Sequence, residues 1–315
     1  MTESSENSSM LILEGFSILP ELRVPVFILS LVVYSVILAG NLTLLFAIVF
    51  HRQLHTPMYT LLSNMIICDL IGSTALMPRL MYGVMTEVKQ ISIYACVIQA
   101  FCIHSYGSAT QLILTVMAID RYFAICNPLR YHAIMTTKTT VKLCLLAWGV
   151  AFVLLFILFF LTLRLPRCRS LIVHVYCFNG SLYLLSCVDT TVNNMYGLFV
   201  TYFLSTVSFS AIAFTYTKIL ITCLFKTENN SKSKAIHTCS THLSVYFLFE
   251  ITALFSIIAL RFPNVSPNAI KAMGTLMVVL PPVANPIIYG LNTKEIRNIF
   301  TKCIKNRIFN RNSNV

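Results

Sequence analysis

Asp120 and Arg121 stand side by side at the end of a long apolar run, in the string MAIDRYFAICNPLRY from Met117 to Tyr131. An acid next to a guanidinium can act as a latch: closed, the two charges hold each other, and open, the five N–H donors of Arg121 are free to bond another partner. The pair alone is equally compatible with a snorkelling arginine whose acidic neighbour is incidental. Asn41, Asp69 and Asn285 interrupt other apolar stretches, and polar groups at bilayer depth are costly and face a bundle interior. Together they suit a polar cavity that holds water or a sodium ion at Asp69, or a purely structural hydrogen-bond network. His104 follows Cys96 by eight residues, about 12 Å along a helix, on a stripe with Phe101, Ser108 and Gln111. Arg261 ends another apolar stretch in ALRFP. Two cationic donors above an apolar cavity suit a small anion such as a carboxylate, while core packing for His104 and snorkelling for Arg261 are the plain alternatives. Nothing resembles a phosphate loop, a metal cluster or a nucleophile constellation, so no catalysis is expected, and no cofactor beyond that sodium ion.

These residues need a scaffold at bilayer depth. With 57% hydrophobic and 11% charged residues, against about 25% charged in an ordinary soluble domain, the chain is read as a membrane protein. Val24 to Phe50, Gln90 to Ile119, Leu143 to Leu163, Thr190 to Thr217 and Ala272 to Thr293 carry no Asp, Glu, Lys or Arg, and each is long enough to span. Pro57 to Pro78 is broken only by Asp69, and Ala235 to Leu260 only by Glu250 and two histidines. The prediction is an all-α membrane protein, a seven-transmembrane helix bundle with helices at about 24–50, 57–84, 93–122, 141–163, 190–225, 235–260 and 268–291. Residues 1–23 form an outer amino terminus, and 293–315 a cytoplasmic tail. From Thr293 to Asn306 the tail alternates Ile296, Ile299, Phe300 and Ile304 with Lys and Arg, the pattern of a short amphipathic carboxy-terminal helix lying on membrane lipid. Cys303 there is either a palmitoylation site or a plain cysteine.

Placing the carboxy terminus inside gathers most of the 23 Lys and Arg on that side, as cytoplasmic loops require. The net charge of +12 is therefore a topology signal; nucleic-acid binding would want a basic soluble module, and none is expected. The opening MTESSENSSM has no basic n-region, so the first helix is taken as the insertion signal, with the amino terminus outside. Sequons at Asn7, Asn179 and Asn264 then lie where glycosylation occurs, whereas those at Asn41 and Asn229 should be silent. Of the eleven cysteines, Cys68, Cys102, Cys126, Cys144, Cys223, Cys239 and Cys303 fall in helices or face the reducing side. Cys96, Cys168, Cys177 and Cys187 remain for the oxidising side, where four cysteines allow three pairings.

The string from Met117 to Tyr131 resembles the end of the third helix of vertebrate odorant receptors, a branch of the rhodopsin-like G-protein-coupled receptors. The resemblance runs along nearly the whole chain: Gly40-Asn41; HTPMYTLL from His55 with Ser63, Asn64, Asp69 and Leu70; Trp148; Tyr216 in FTYTKIL; KAIHTCSTHL from Lys234; and PVANPIIY from Pro282 to Tyr289. It implies a receptor that binds a small-molecule odorant in the helix bundle and activates a heterotrimeric G protein of the stimulatory olfactory type to raise cAMP. Location in the plasma membrane, in the cilia of olfactory sensory neurons, follows from the same resemblance. A metabolite-sensing receptor outside the nose is the alternative within the superfamily. A transporter or channel would show matching halves with interrupted helices, and no such symmetry is seen. The resemblance also implies Cys96 paired with Cys177 and Cys168 with Cys187, folding the second outer loop into a lid. Asp120, Arg121, Tyr122, Tyr216, Lys234, His237, Asn285, Pro286 and Tyr289 are the implied switch and G-protein-coupling residues, with Pro286 kinking the seventh helix. His104 and the Arg-Phe at Arg261 resemble the fish-like, class I branch.

The chain departs from the family pattern twice. Helix three usually carries a Glu ten residues before the Asp of its charged motif, and here that place is Thr110; helix six usually reads Phe-Tyr, and here it reads Phe249-Glu250. Glu250 either replaces the missing acid in the polar cavity with Asn41, Asp69 and Asn285, or joins His104, Arg261, Phe101 and Ser108 in the ligand pocket. In the second case it argues for an amine.

Overall fold

In a computed structural model, seven helices are long and apolar enough to cross a membrane. The structure describes residues 9–86, 88–225, 229–259, 265–293, 295–299 and 301, with the side chains of 229–238, 258–259 and 291–292 outside that description. In chain order the elements are β1 (Met10–Leu13), α1 (Arg23–Phe50), α2 (Pro57–Thr86), β2 (Gln90–Ser92), α3 (Ile93–Cys126), α4 (Pro128–Ile134), α5 (Thr137–Leu163), β3 (Leu171–Ile172), α6 (Asn179–Tyr183), α7 (Thr191–Phe225), α8 (Asn229–Ala259) and α9 (Pro267–Asn292). The spanning helices are α1, α2, α3, α5, α7, α8 and α9. Residues 295–299 are again helical, with Ile296 and Ile299 buried against the bundle core.

The burial pattern is the inverse of a soluble domain. Large apolar side chains cover the outside, with Phe46 57% and Phe156 72% exposed, whereas Asn41, Asp69, Asp120 and Asn285 are buried. Such an arrangement suits a hydrocarbon surround and a polar interior. Helix α3 is the spine: it packs on α2, α5, α7 and α8. Close contact with α2 depends on Gly72, where an added Cβ would lie 2.6 Å from Cγ of the buried Tyr106 ring.

Several helices run past the charge-free stretches. Helix α5 starts at Thr137 because the Thr136 hydroxyl accepts the Thr139 N–H at 3.2 Å, an N-cap that brings Lys138 and Lys142 inside the helix. Helix α3 continues beyond Arg121 to Cys126 and stops before Pro128, since the residue preceding a proline disfavours helical geometry. Charge marks where a helix leaves the bilayer; caps and prolines mark where it ends.

The amino-terminal segment, to which the sequence assigned no element, supplies the central strand of a three-stranded sheet in the order β2-β1-β3. Strand β1 pairs antiparallel with β2, Leu11 opposite Ile91, and parallel with β3, Ile12 opposite Leu171. Leu11 and Leu13 are buried in a cluster with Ile91, Ile172, Cys96 and Cys177. The sheet caps one end of the bundle.

Candidate functional site

The cap is fixed by covalent and polar ties. Cys96 at the start of α3 is bonded to Cys177, and Cys168 to Cys187, the pairs that the resemblance implied. Gln99 spans two elements: its Nε2 donates to the Ala75 carbonyl at 2.9 Å and its Oε1 accepts the Cys177 N–H at 2.8 Å. His104 accepts the Asn179 N–H at Nε2, 3.0 Å, which requires a lone pair there and so a neutral imidazole. Asn179 is itself buried, its Oδ1 accepting from the Thr162 hydroxyl at 2.7 Å. Its expected role as a glycosylation acceptor is therefore corrected: an interior amide locked to α5 leaves no room for a glycan. Asn7 and Asn264 lie outside the described residues.

Beneath the cap is a cavity of about 490 Å³, lined by His104, Ser108 and Gln111 of α3, by Tyr176 and Phe178 of the cap, and by residues of α7, α8 and α9. Its size is that of a small-molecule site. Phe101, expected in the ligand pocket, is not among the lining residues. Its ring is instead taken by α5, stacked on Phe152 with centroids 6.1 Å apart and edge-on to Phe159 at 5.7 Å. Arg261 lies outside the described residues.

Glu250 is bonded to residues that line the ligand cavity, without lining it itself, and not to Asp69. Gln111 Nε2 donates to Glu250 Oε2 at 2.8 Å and lies 3.1 Å from Ser205 Oγ and 3.3 Å from Ser208 Oγ. Successive helix residues point about 100° apart: Phe249 meets Tyr106 edge-on at 6.0 Å, which turns Glu250 toward α7. Its expected place in the polar cavity is corrected on that ground. Thr110 is buried in the position of the missing acid, its hydroxyl without a hydrogen-bond partner among the described residues.

The polar residues expected to share a cavity form a buried cluster between α1, α2 and α9. Pro286 has no N–H to give the carbonyl four residues earlier, Pro282, and Asn41 Nδ2 bonds that carbonyl at 3.0 Å. Gly40 permits the approach, since a Cβ there would stand 2.9 Å from Pro286 Cβ. Asn285 Nδ2 donates to Asp69 Oδ2 at 2.7 Å. Asn41 Oδ1, Asp69 Oδ1, Asn285 Oδ1 and the Tyr289 hydroxyl are buried with no hydrogen-bond partner among the described residues. Orphaned oxygens of this kind call for water or a hard cation, so the donor set fits a sodium ion.

At the opposite end of α3 from the cap, the latch is closed. Arg121 Nε donates to Asp120 Oδ2 at 3.0 Å, and its terminal nitrogen also bonds that oxygen. The other oxygen, Oδ1, accepts from the Tyr131 hydroxyl at 2.8 Å. Burial and the Asp120 carboxylate hold the Tyr131 phenol above its ordinary range, so it remains a donor. Tyr122 packs edge-on to Phe123 and near Phe214. Tyr216 contacts Nδ1 of His242 at 2.6 Å with the rings stacked. The side chains of Lys234 and His237 lie outside those described; the helix-six histidine seen at the switch is His242.

Sequence reasoning singled out neither Gln99 nor Tyr131 as functional, and it missed the pair of Lys271 with Glu14, 2.9 Å apart, whose lysine is buried. For Gln99 the signal was present, because a polar amide in an apolar run obeys the same rule that flagged Asp69.

A family model described as olfactory receptor matches residues 29–307. Olfactory receptor 2B6 of Mus musculus is 36% identical over 299 residues, covering 95% of each chain. Olfactory receptor 52H1 of Homo sapiens is 36% identical over 300 residues, 94% of this chain and 95% of that one. Olfactory receptor 51G2 of Homo sapiens is 34% identical over 302 residues, 95% of this chain and 96% of that one.

Proposed function

The chain belongs to the olfactory receptor family, and on that premise we propose that it is an odorant receptor of the plasma membrane. It takes a small, water-soluble odorant into the cavity beneath the cap and activates a heterotrimeric G protein of the stimulatory olfactory type, raising cAMP. The cap and amino terminus face outward, in the cilia of olfactory sensory neurons, and the latch faces the cytosol. The observation that carries this reading is that one helix joins both sites: α3 lines the cavity down to Gln111 and holds the latch at Asp120, nine residues or about 14 Å further along.

An odorant seated against Gln111 and Phe249 shifts α8 relative to α3. Phe249 bears on Tyr106 and, further along α8, His242 bears on Tyr216, so the shift reaches the level of Asp120. Arg121, released, offers its donors to the G protein. Asn41, Asp69 and Asn285 would hold the sodium ion, which would favour the closed arrangement by adding charge that the orphaned oxygens bind.

The test is expression with and without the stimulatory olfactory α subunit, with cAMP read during exposure to carboxylates, amino acids, amines and neutral odorants. A cAMP rise to at least one class that depends on the α subunit is expected. A cAMP rise independent of that subunit, or none with any class, contradicts the reading.

A further inference from the structure

We propose that the cavity is built for a protonated amine with an apolar body, and that Glu250 is its counter-ion. The inference rests on the reading of the cavity as the odorant site and names the ligand's charge. Glu250 is 7% exposed and lies on the face of α8 that lines the cavity: Ala253, Leu254 and Ile257, three, four and seven residues on, all border it, the spacing of a single helix face. Glu250 does not itself border the cavity; its carboxylate lies one turn below those residues and behind the floor. Gln111 and Ser205, which bond that carboxylate, form the floor.

Among the described residues Glu250 has hydrogen-bond partners but no ion-pair partner. The two hydrogens of Gln111 Nε2 serve three acceptor oxygens, on Glu250, Ser205 and Ser208, and the Ser208 hydroxyl donates to the Ser205 carbonyl at 3.1 Å. A carboxylate has about four lone-pair sites, and the partners it has here are neutral. An ammonium brings three donors and the missing charge.

The groups that would favour an anion are otherwise engaged. His104 is a neutral acceptor of the Asn179 N–H, and the Lys271 ammonium is paired with Glu14. His174 of the cap is held neutral, its pKa lowered to about 4 by burial and by the Lys271 charge. Among the described residues that line the cavity, none carries a formal charge, so Glu250 sets its sign. Above the floor Ile103, Leu158, Val200 and Leu204 make the walls apolar, which suits an alkyl or arylalkyl body.

The test uses hexylamine and phenethylamine with the alcohol and the carboxylic acid of the same skeletons. Two readouts are taken on the full chain: cAMP in transfected cells, and thermal stabilisation of the detergent-solubilised receptor. The amines should act in both while the alcohols and acids do not. Glu250→Gln, at equal surface expression, should raise the amine concentration needed by about tenfold or more, since truncating one partner of a buried charge pair is strongly unfavourable, and Glu250→Asp should recover part of the loss. Stabilisation by amines without a cAMP rise would count against the coupling reading while supporting this one. The inference is overturned if neither amine stabilises the receptor, if the acids or alcohols act in their place, or if Glu250→Gln leaves the amine response unchanged.

Discussion

Asn41 and Tyr131 show how single side chains complete what other residues leave unfinished. Asn41 covers the Pro282 carbonyl that Pro286 cannot reach, so Asn41→Leu should strand a buried acceptor. The expected loss is about 1–3 kcal/mol, read as a lower melting temperature of the solubilised receptor; an unchanged melting temperature would mean that α9 satisfies that carbonyl by another route. Tyr131 holds the Asp120 oxygen that Arg121 does not. Tyr131→Phe removes one charge-assisted bond from the closed latch. At about 1.5 kcal/mol the open fraction rises roughly tenfold, and basal cAMP should rise with normal surface expression. Basal cAMP equal to wild type would show that Tyr131 does not hold the latch shut.

At the scale of elements, the cap depends on ties between segments far apart in sequence. Cys177→Ser should cost about 2–5 kcal/mol and remove surface expression or ligand response, because the cavity's cover is tied to α3 through Cys96; a mutant with wild-type expression and response would contradict this. The cap should also be acid-sensitive. His174 lies against Tyr176 and Phe178, with centroids 4.4 and 5.0 Å away, and its pKa falls to about 4 through burial and the Lys271 charge. The unfolded value is near 6.5, so the stability from a neutral His174 is fully present above pH 6.5 and is lost as pH falls toward 4. At pH 5 the loss is about 2 kcal/mol, and His174→Phe should flatten the fall in melting temperature between pH 7 and pH 5. A fall of the same size in the mutant would place the acid sensitivity elsewhere.

The spanning helices were legible in the sequence because each is a long stretch with little or no charge. Strand β1 was not, since MLIL is a four-residue apolar segment whose partners, Gln90–Ser92 and Leu171–Ile172, are defined only by the fold. The same distinction holds for Glu250: its anomaly is visible in the chain, but its partners Gln111 and Ser205 come from two other helices.

On the scale of the whole molecule, α3 connects a capped cavity at one end of the bundle to a charged latch at the other, with α7 and α8 bearing on it between them. The contacts along it are Gln111 with Glu250 near the cavity, Tyr106 with Phe249 beside it, and Asp120 with Arg121 at the far end. The most direct measurement is cAMP, basal and agonist-driven, for Arg121→Ala in cells where surface expression is quantified alongside. Loss of agonist-driven cAMP with surface expression retained is the predicted result; a well-expressed mutant that signals normally would contradict the role of Arg121 in coupling the cavity to the G protein.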